Sequence, residues 1–171
     1  RSPYATLRYM SSDVKRSKKH LVTAAAIAIL LLLGFRIWNE MAPPSSMAMV
    51  QISEVGYHAT VGVARTESAR QQGLSGRAAL AQDEGLLIVF DKMDQHRIWM
   101  KGMRFSIDLI WIAGGVVVDT HRDLPVPNQD ATMLPYFNPR PQALMVLEVP
   151  AGIVDEYGIF PGQRVEVVFD E

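Results

Sequence analysis

The chain has 171 residues, 49% hydrophobic and 20% charged, with a formal net charge of −1, which is ordinary for one globular domain with an appendage. It contains no cysteine, so disulfides, thiolate metal sites, a cysteine nucleophile and a lipoprotein-type cysteine anchor are excluded. Residues 1–20 carry six bases against Asp13, whereas residues 37–171 carry 10 bases against 17 acids, so the main domain is acidic and nucleic acid is not an expected partner.

The basic flank (1–20) leads into an uncharged run from Leu21 to Phe35. Extended through Trp38, it approaches the roughly 17–25 residues of a bilayer-spanning helix. Residues 21–38 are therefore expected to be a transmembrane anchor in the cytoplasmic membrane. The preceding bases hold the N-terminus in the cytoplasm and put the rest in the periplasmic or extracellular space. The alternative is a cleaved signal peptide, for which Ser46-Met47-Ala48 supplies small residues and which would leave the domain secreted. A Pro/Ser linker (39–49) separates this segment from the domain (50–171).

The domain reads as many short strands. Residues 50–64 give one or two, with Val61 and Val63 on one face. Thr66 is an N-cap, Glu67 sits in the first turn and Gly73 is the stop of a short helix, "ESARQQ". Strands then follow at 85–90, 96–100, 106–113 and 116–124, rich in β-branched and aromatic residues. Five prolines between 125 and 141 mark an irregular loop, a lid or a tether, carrying Tyr136 and Phe137. "ALMVLEV" and "QRVEVVF" close the domain around a helical turn at "GIVDEYG". The expected fold is mainly β: a single compact β-sandwich or partly closed barrel with one or two short helices, preceded by the membrane helix.

Gly114-Gly115 predicts a two-residue hairpin. Pairing Ala113 with Val116 sets Asp108 opposite His121 and gives a core face of Ile107, Leu109, Trp111, Val116, Val118 and Thr120. The other face begins with Ile110, Ile112 and Val117. It ends polar, so that Asp108 joins Asp119, His121 and Asp123 near the sheet end. Asp119, His121 and Asp123 are a weak candidate for metal ligation, or simply a solvated face whose groups pair across strands. Trp99 and Lys101 share a strand face, with Lys101 in reach of Asp108. Arg70 and Arg77 flank a glycine-bearing turn that suits an anion or merely caps the helix. Glu148 points opposite to Leu147 and Val149, away from the core or into the same polar patch. The hydrolase, P-loop and dinucleotide signatures are missing, and nothing calls for a cofactor.

"ARTESARQQGLSGRAAL", "GLLIVF", "IWMKGM", "IDLIWI" and "VLEVPAG…GIFPGQRV", in this order over residues 50–169, resemble domain of unknown function family number 192, also called uncharacterised protein family 0127. The resemblance implies a compact, mostly β domain common in bacterial and archaeal envelope proteins, with no established activity and no agreed catalytic residues. Its motif positions correspond to Arg77, Trp99, Lys101, Asp108 and Glu148. The family's usual Asn after the Trp-Met-Lys motif is Gly102 here, and Ser75-Gly76 replaces bulkier residues before the motif arginine.

The expected function is a membrane-tethered module that binds a small anionic or carbohydrate ligand through Arg77, Trp99, Lys101, Asp108 and Glu148. The alternatives are a structural or assembly partner in the envelope, and an enzyme acting on an envelope polymer through Asp108 and Glu148.

Overall fold

The computed structural model describes residues 29–30, 46–128 and 134–170. The chain separates into two units, Arg1–Ala42 and Pro43–Glu171. In the first, only Ile29 and Leu30 are described, both helical, so the expected membrane span otherwise lies outside the described residues. Among the described residues no helix is long and apolar enough to cross a membrane.

In the second unit, β1 (Met47–Ile52) begins inside the segment read as a linker. A 3-10 turn, Ser53–Val55, leads to β2 (Tyr57–Ala64) and α1 (Glu67–Gln72). Then come β3 (Glu84–Asp94), β4 (Ile98–Trp99), β5 (Ile107–Ala113) and β6 (Val116–Leu124). The chain continues with β7 (Tyr136–Phe137), β8 (Ala143–Pro150), α2 (Ile153–Glu156) and β9 (Glu166–Phe169). Seven strands form one sheet in the order β6-β5-β8-β3-β2-β1-β9, and β4 pairs with β7 apart from it. Within the sheet only β2 and β3 are parallel, and α1 lies in the crossover that a parallel pair requires. Helix α1 begins and ends where the sequence predicts. The Thr66 hydroxyl accepts from Ala69 N at 3.2 Å, and Gly73 takes a positive φ of 53° at the stop.

The domain is therefore mainly β with two short helices, but the expected sandwich or partly closed barrel is replaced by one mostly open sheet. The cause is visible in β5, where all seven residues are buried. Val50, Val61, Ile110, Ile112, Leu147 and Val149 pack on one face with Ile153 and Val154 of α2. Leu86, Ile88, Leu109, Trp111 and Val146 pack on the other, beneath Leu74, Ile98, Met100 and Met103. The layer over this second face is made of short segments, the two-stranded β4–β7 sheet among them, and not of a second large sheet. At one corner the start of the β6 hairpin is tied to the segment that leads into β9. Val117 N donates to Gln163 O at 2.9 Å, and Val165 N donates to Gly115 O at 2.9 Å.

The hairpin forms at Gly114-Gly115, with φ of 57° and 73°. The expected register holds only for Ala113–Val116 and Ile112–Val117, after which a bulge at Val118 shifts the pairs to Trp111–Asp119, Ile110–Thr120 and Leu109–His121. A one-residue slip exchanges faces, so Asp119 and His121 leave the side of Asp108 and join that of Trp111. A second irregularity follows before Ile107–Leu124, where Asp123 takes a φ of 47°. Two other expectations are corrected. The strand at 96–100 shrinks to Ile98–Trp99, and the proline-rich loop contains its partner, Tyr136–Phe137.

Candidate functional site

A pocket of about 390 Å³ opens between α1, the turn after it, β3 and the β4–β7 pair. Its lining is mixed: Leu74, Ile88, Phe90, Ile98, Met103 and Ile107 are apolar, while Glu67, Gln71, Gln72 and Ser75 add polar groups. Trp99 and Tyr136 stand at its mouth, stacked with ring centroids 6.1 Å apart and 16° between planes. Cations cover both rings: Lys101 Nζ lies 5.1 Å from the Trp99 centroid, and Arg97 Cζ lies 5.4 Å from that of Tyr136.

The floor is Glu148. Its neighbours in register are Leu86 on β3 and Leu109 on β5, so it projects from the pocket side of the sheet, opposite to Leu147 and Val149 as the alternation predicts. The side chain is buried at 4% exposure, and its Oε2 has no hydrogen-bond partner among the described residues. Burial pushes its carboxyl up to about 8, because removal from water penalises the charged form. A buried carboxyl oxygen left without a partner costs stability, and such costs concentrate at functional sites.

The sequence-derived patch is thus split. Trp99, Lys101 and Glu148 line the pocket, while Arg77 and Asp108 do not. Asp108 is fully buried on the other face of the sheet. Its Oδ1 accepts from Asp123 N at 2.7 Å, and its Oδ2 accepts from Gly152 N at 3.0 Å and Val154 N at 2.8 Å. It anchors the start of α2 and the irregular end of β6. Lys101 does not approach it, and Asp108 and Glu148 share no cleft.

Of the expected anion seat, Arg70 reaches the pocket wall, but its guanidinium also bonds the Arg65 carbonyl, the Val89 carbonyl at 3.1 Å and Asp91 at 3.0 Å. It pins α1 to β3. The Asp119–His121–Asp123 trio has dispersed. Burial would raise Asp119, but the Arg140 and Thr120 N–H groups and the Arg140 guanidinium outweigh it and hold the carboxyl below its ordinary value. His121 Nδ1 accepts from Trp111 Nε1 at 3.0 Å. Burial, helped by Arg140 and opposed by Asp119, lowers its pKa. Among the described residues no group of three or more His, Cys, Asp or Glu is placed to hold a metal ion.

Sequence reasoning missed Phe90 on β3, and also Arg97 and the role of Tyr136, which reach the pocket through the pairing of two two-residue strands. Gly102 and Ser75 also prove to be neighbours. Gly102 has a φ of 69°, and a Cβ there would collide with Ser75 Oγ.

Residues 48–167 match the profile of the family DUF192, described as "Uncharacterized ACR". The chain belongs to DUF192. No curated protein matches it. Solved structures support the DUF192 fold. The chain is similar to a crystal structure from Sinorhizobium meliloti 1021, of a protein proposed to be a transcription regulator, at 30% identity and a TM-score of 0.64. That match covers 74% of this chain and 96% of the other. A protein of unknown function from Novosphingobium aromaticivorans DSM 12444 shares the fold at 22% identity and a TM-score of 0.60, over 75% of this chain and 96% of its own.

Proposed function

We propose that this DUF192 domain is a small-ligand-binding module, held outside the cytoplasmic membrane by residues 21–38. The observation that carries the reading is Glu148, a buried carboxyl whose Oε2 has no partner among the described residues, on the floor of a partly apolar pocket. A pocket of about 390 Å³ falls within the range of small-molecule sites, which pair apolar walls with a few placed polar groups. Arg97 and Lys101 at the mouth favour a ligand with an anionic end, and the partly exposed aromatic rings of Trp99 and Tyr136 also suit a sugar. A thermal-shift screen of the full chain against sugars and envelope anions tests it, because a ligand of the folded state raises the melting point. The expected result is a shift that Trp99→Ala and Glu148→Gln both abolish. Shifts that survive both variants would move the site elsewhere.

The relative's description as a proposed regulator would call for a nucleic-acid surface. With 10 bases against 17 acids over residues 37–171, our reading leaves nucleic acid out. An assembly role is the second reading, favoured by the exposed cross-strand pair Met49–Val168 and by Phe169 on the edge formed by β1 and β9. Light scattering of wild type and Val168→Lys distinguishes it: a complex that falls apart in the variant supports assembly. A polymer-cleaving pair of Asp108 and Glu148 is not part of the proposal, since the two carboxyls face opposite sides of the sheet.

A further inference from the structure

Gly73 leaves a space at the base of the pocket. With φ 53° and ψ −135°, its backbone lies where only glycine sits without strain, so position 73 itself sends no side chain into the pocket. A side chain there would leave toward three oxygens. Glu148 Oε2 lies 3.7 Å from the Cβ position, the Arg70 carbonyl oxygen 3.9 Å and Glu148 Oε1 4.0 Å. Three acceptors thus lie within 4.0 Å of one point, and Oε2 has no donor among the described residues. An ammonium group carries three donors and one positive charge. A divalent metal would demand more oxygen ligands than one carboxylate and one carbonyl supply.

Leu74, Ile88 and Ile107 make a hydrocarbon stretch of the wall, and the mouth carries Arg97 and Lys101. Resting on the ligand-binding reading above, we propose that the pocket takes a small aminoalkanoate-type zwitterion, with its ammonium against Glu148 and the Arg70 carbonyl, its methylene body along Leu74, Ile88 and Ile107, and its carboxylate facing Arg97 and Lys101. The other titratable groups lining the pocket are Glu67 and Arg70 on α1 and Tyr136 on β7. Burial alone sets the Glu148 carboxyl at about 8. Binding of a cation therefore requires Glu148 to give up its proton, and an ammonium ligand makes that release part of its own binding equilibrium.

The test is calorimetry of the full chain with 4-aminobutanoate, 6-aminohexanoate and 8-aminooctanoate, against hexanoate, 6-hydroxyhexanoate and hexylamine. At least one aminoalkanoate is expected to bind about tenfold or more tightly than hexanoate, and its affinity to rise about tenfold per pH unit below pH 8 and level off above. Near neutral pH, titrations in two buffers of different ionisation heat are expected to show release of close to one proton per ligand, a readout that needs no variant. Glu148→Gln is expected to remove both the preference and the pH slope. Hexanoate or 6-hydroxyhexanoate binding as well as the amine, lost in Trp99→Ala, would overturn the ammonium assignment and leave the pocket reading standing. Binding without proton release would overturn it too. If no probe binds, this ligand class is wrong, whatever the broader screen returns.

Discussion

Asp108 and Glu148 stand on adjacent antiparallel strands, one register step apart, and point to opposite faces of the same sheet. Asp108 is saturated by three backbone N–H donors, whereas Glu148 Oε2 has none. Two buried carboxyls that look alike in the sequence therefore have opposite energetic consequences. In Asp108→Asn an NH₂ replaces one accepting oxygen and meets N–H groups with no acceptor between them. The variant is expected to lose about 2–4 kcal/mol, measured by urea denaturation with an unchanged m-value. A loss under about 0.5 kcal/mol would show that the three bonds are not what holds α2 to the end of β6.

Glu148 should show the reverse sign, and only above a certain pH. Its carboxyl sits at about 8 in the folded chain against an ordinary 4.5. A raised carboxyl keeps its proton in the folded state while the unfolded chain ionises. The wild type therefore pays no penalty below pH 4.5 and accumulates one as pH rises to about 8, at most roughly 4–5 kcal/mol. Glu148→Gln does not titrate. Its stability relative to wild type is expected to climb by several kcal/mol between pH 4.5 and pH 8. Parallel stability curves for the two proteins over that range would contradict the buried-carboxyl account.

His121 gives a pH effect on the acid side. Its lowered pKa means that the folded chain favours the neutral ring, whose Nδ1 accepts from Trp111. Stability is therefore unaffected above the ordinary histidine value of 6.5 and falls as pH drops through it. His121→Gln should lack that component of the slope below the ordinary histidine value, as followed by thermal denaturation. Asp119, held below its ordinary value of 3.8, contributes stability that is present above that pH and lost only at more acid pH.

Gly102 and Ser75 are expected to behave as one unit. Gly102→Ala meets both a φ of 69° and the Ser75 hydroxyl, and should cost about 1–3 kcal/mol. Ser75→Gly removes the collision and leaves the backbone strain. The double variant should therefore recover part of the loss, and the coupling energy from a double-mutant cycle measures that part. Simple additivity would mean that the serine rotates away freely.

Local signals carried well from sequence to structure. Thr66 and Gly73 bound α1 as read, Gly114-Gly115 makes the hairpin, and the helical turn after β8 forms at Ile153–Glu156. Each depends on residues within a few positions of one another. Failures came where distant packing decides. The bulge at Val118 moved Asp119 and His121 across the sheet, and nothing in "VVVDTHRDL" announces it. Alternation also misled on Asp108, because a strand buried on both faces has no polar side for a carboxylate to occupy. Of the candidate site, the sequence could name Trp99, Lys101 and Glu148, since each stands out as a charged or aromatic residue beside an apolar run. It could not name Arg97 or Tyr136, which depend on a pairing of four residues far apart in the chain.

The pairing of β1 with β9, Met49 opposite Val168 and Val50 opposite Val167, has a consequence for the order in which the domain is made. The ribosome delivers β1 first among the strands of the sheet and β9 last. Until the final strand emerges, β1 offers a bare edge bearing Met47 and Met49, a template for pairing with another nascent chain. Val165, the link to Gly115 at the sheet corner, arrives at nearly the same moment. A premature stop codon just before Glu166 would therefore cost far more than four residues of strand: it would release a chain whose first strand pairs with β2 but leaves its other edge bare.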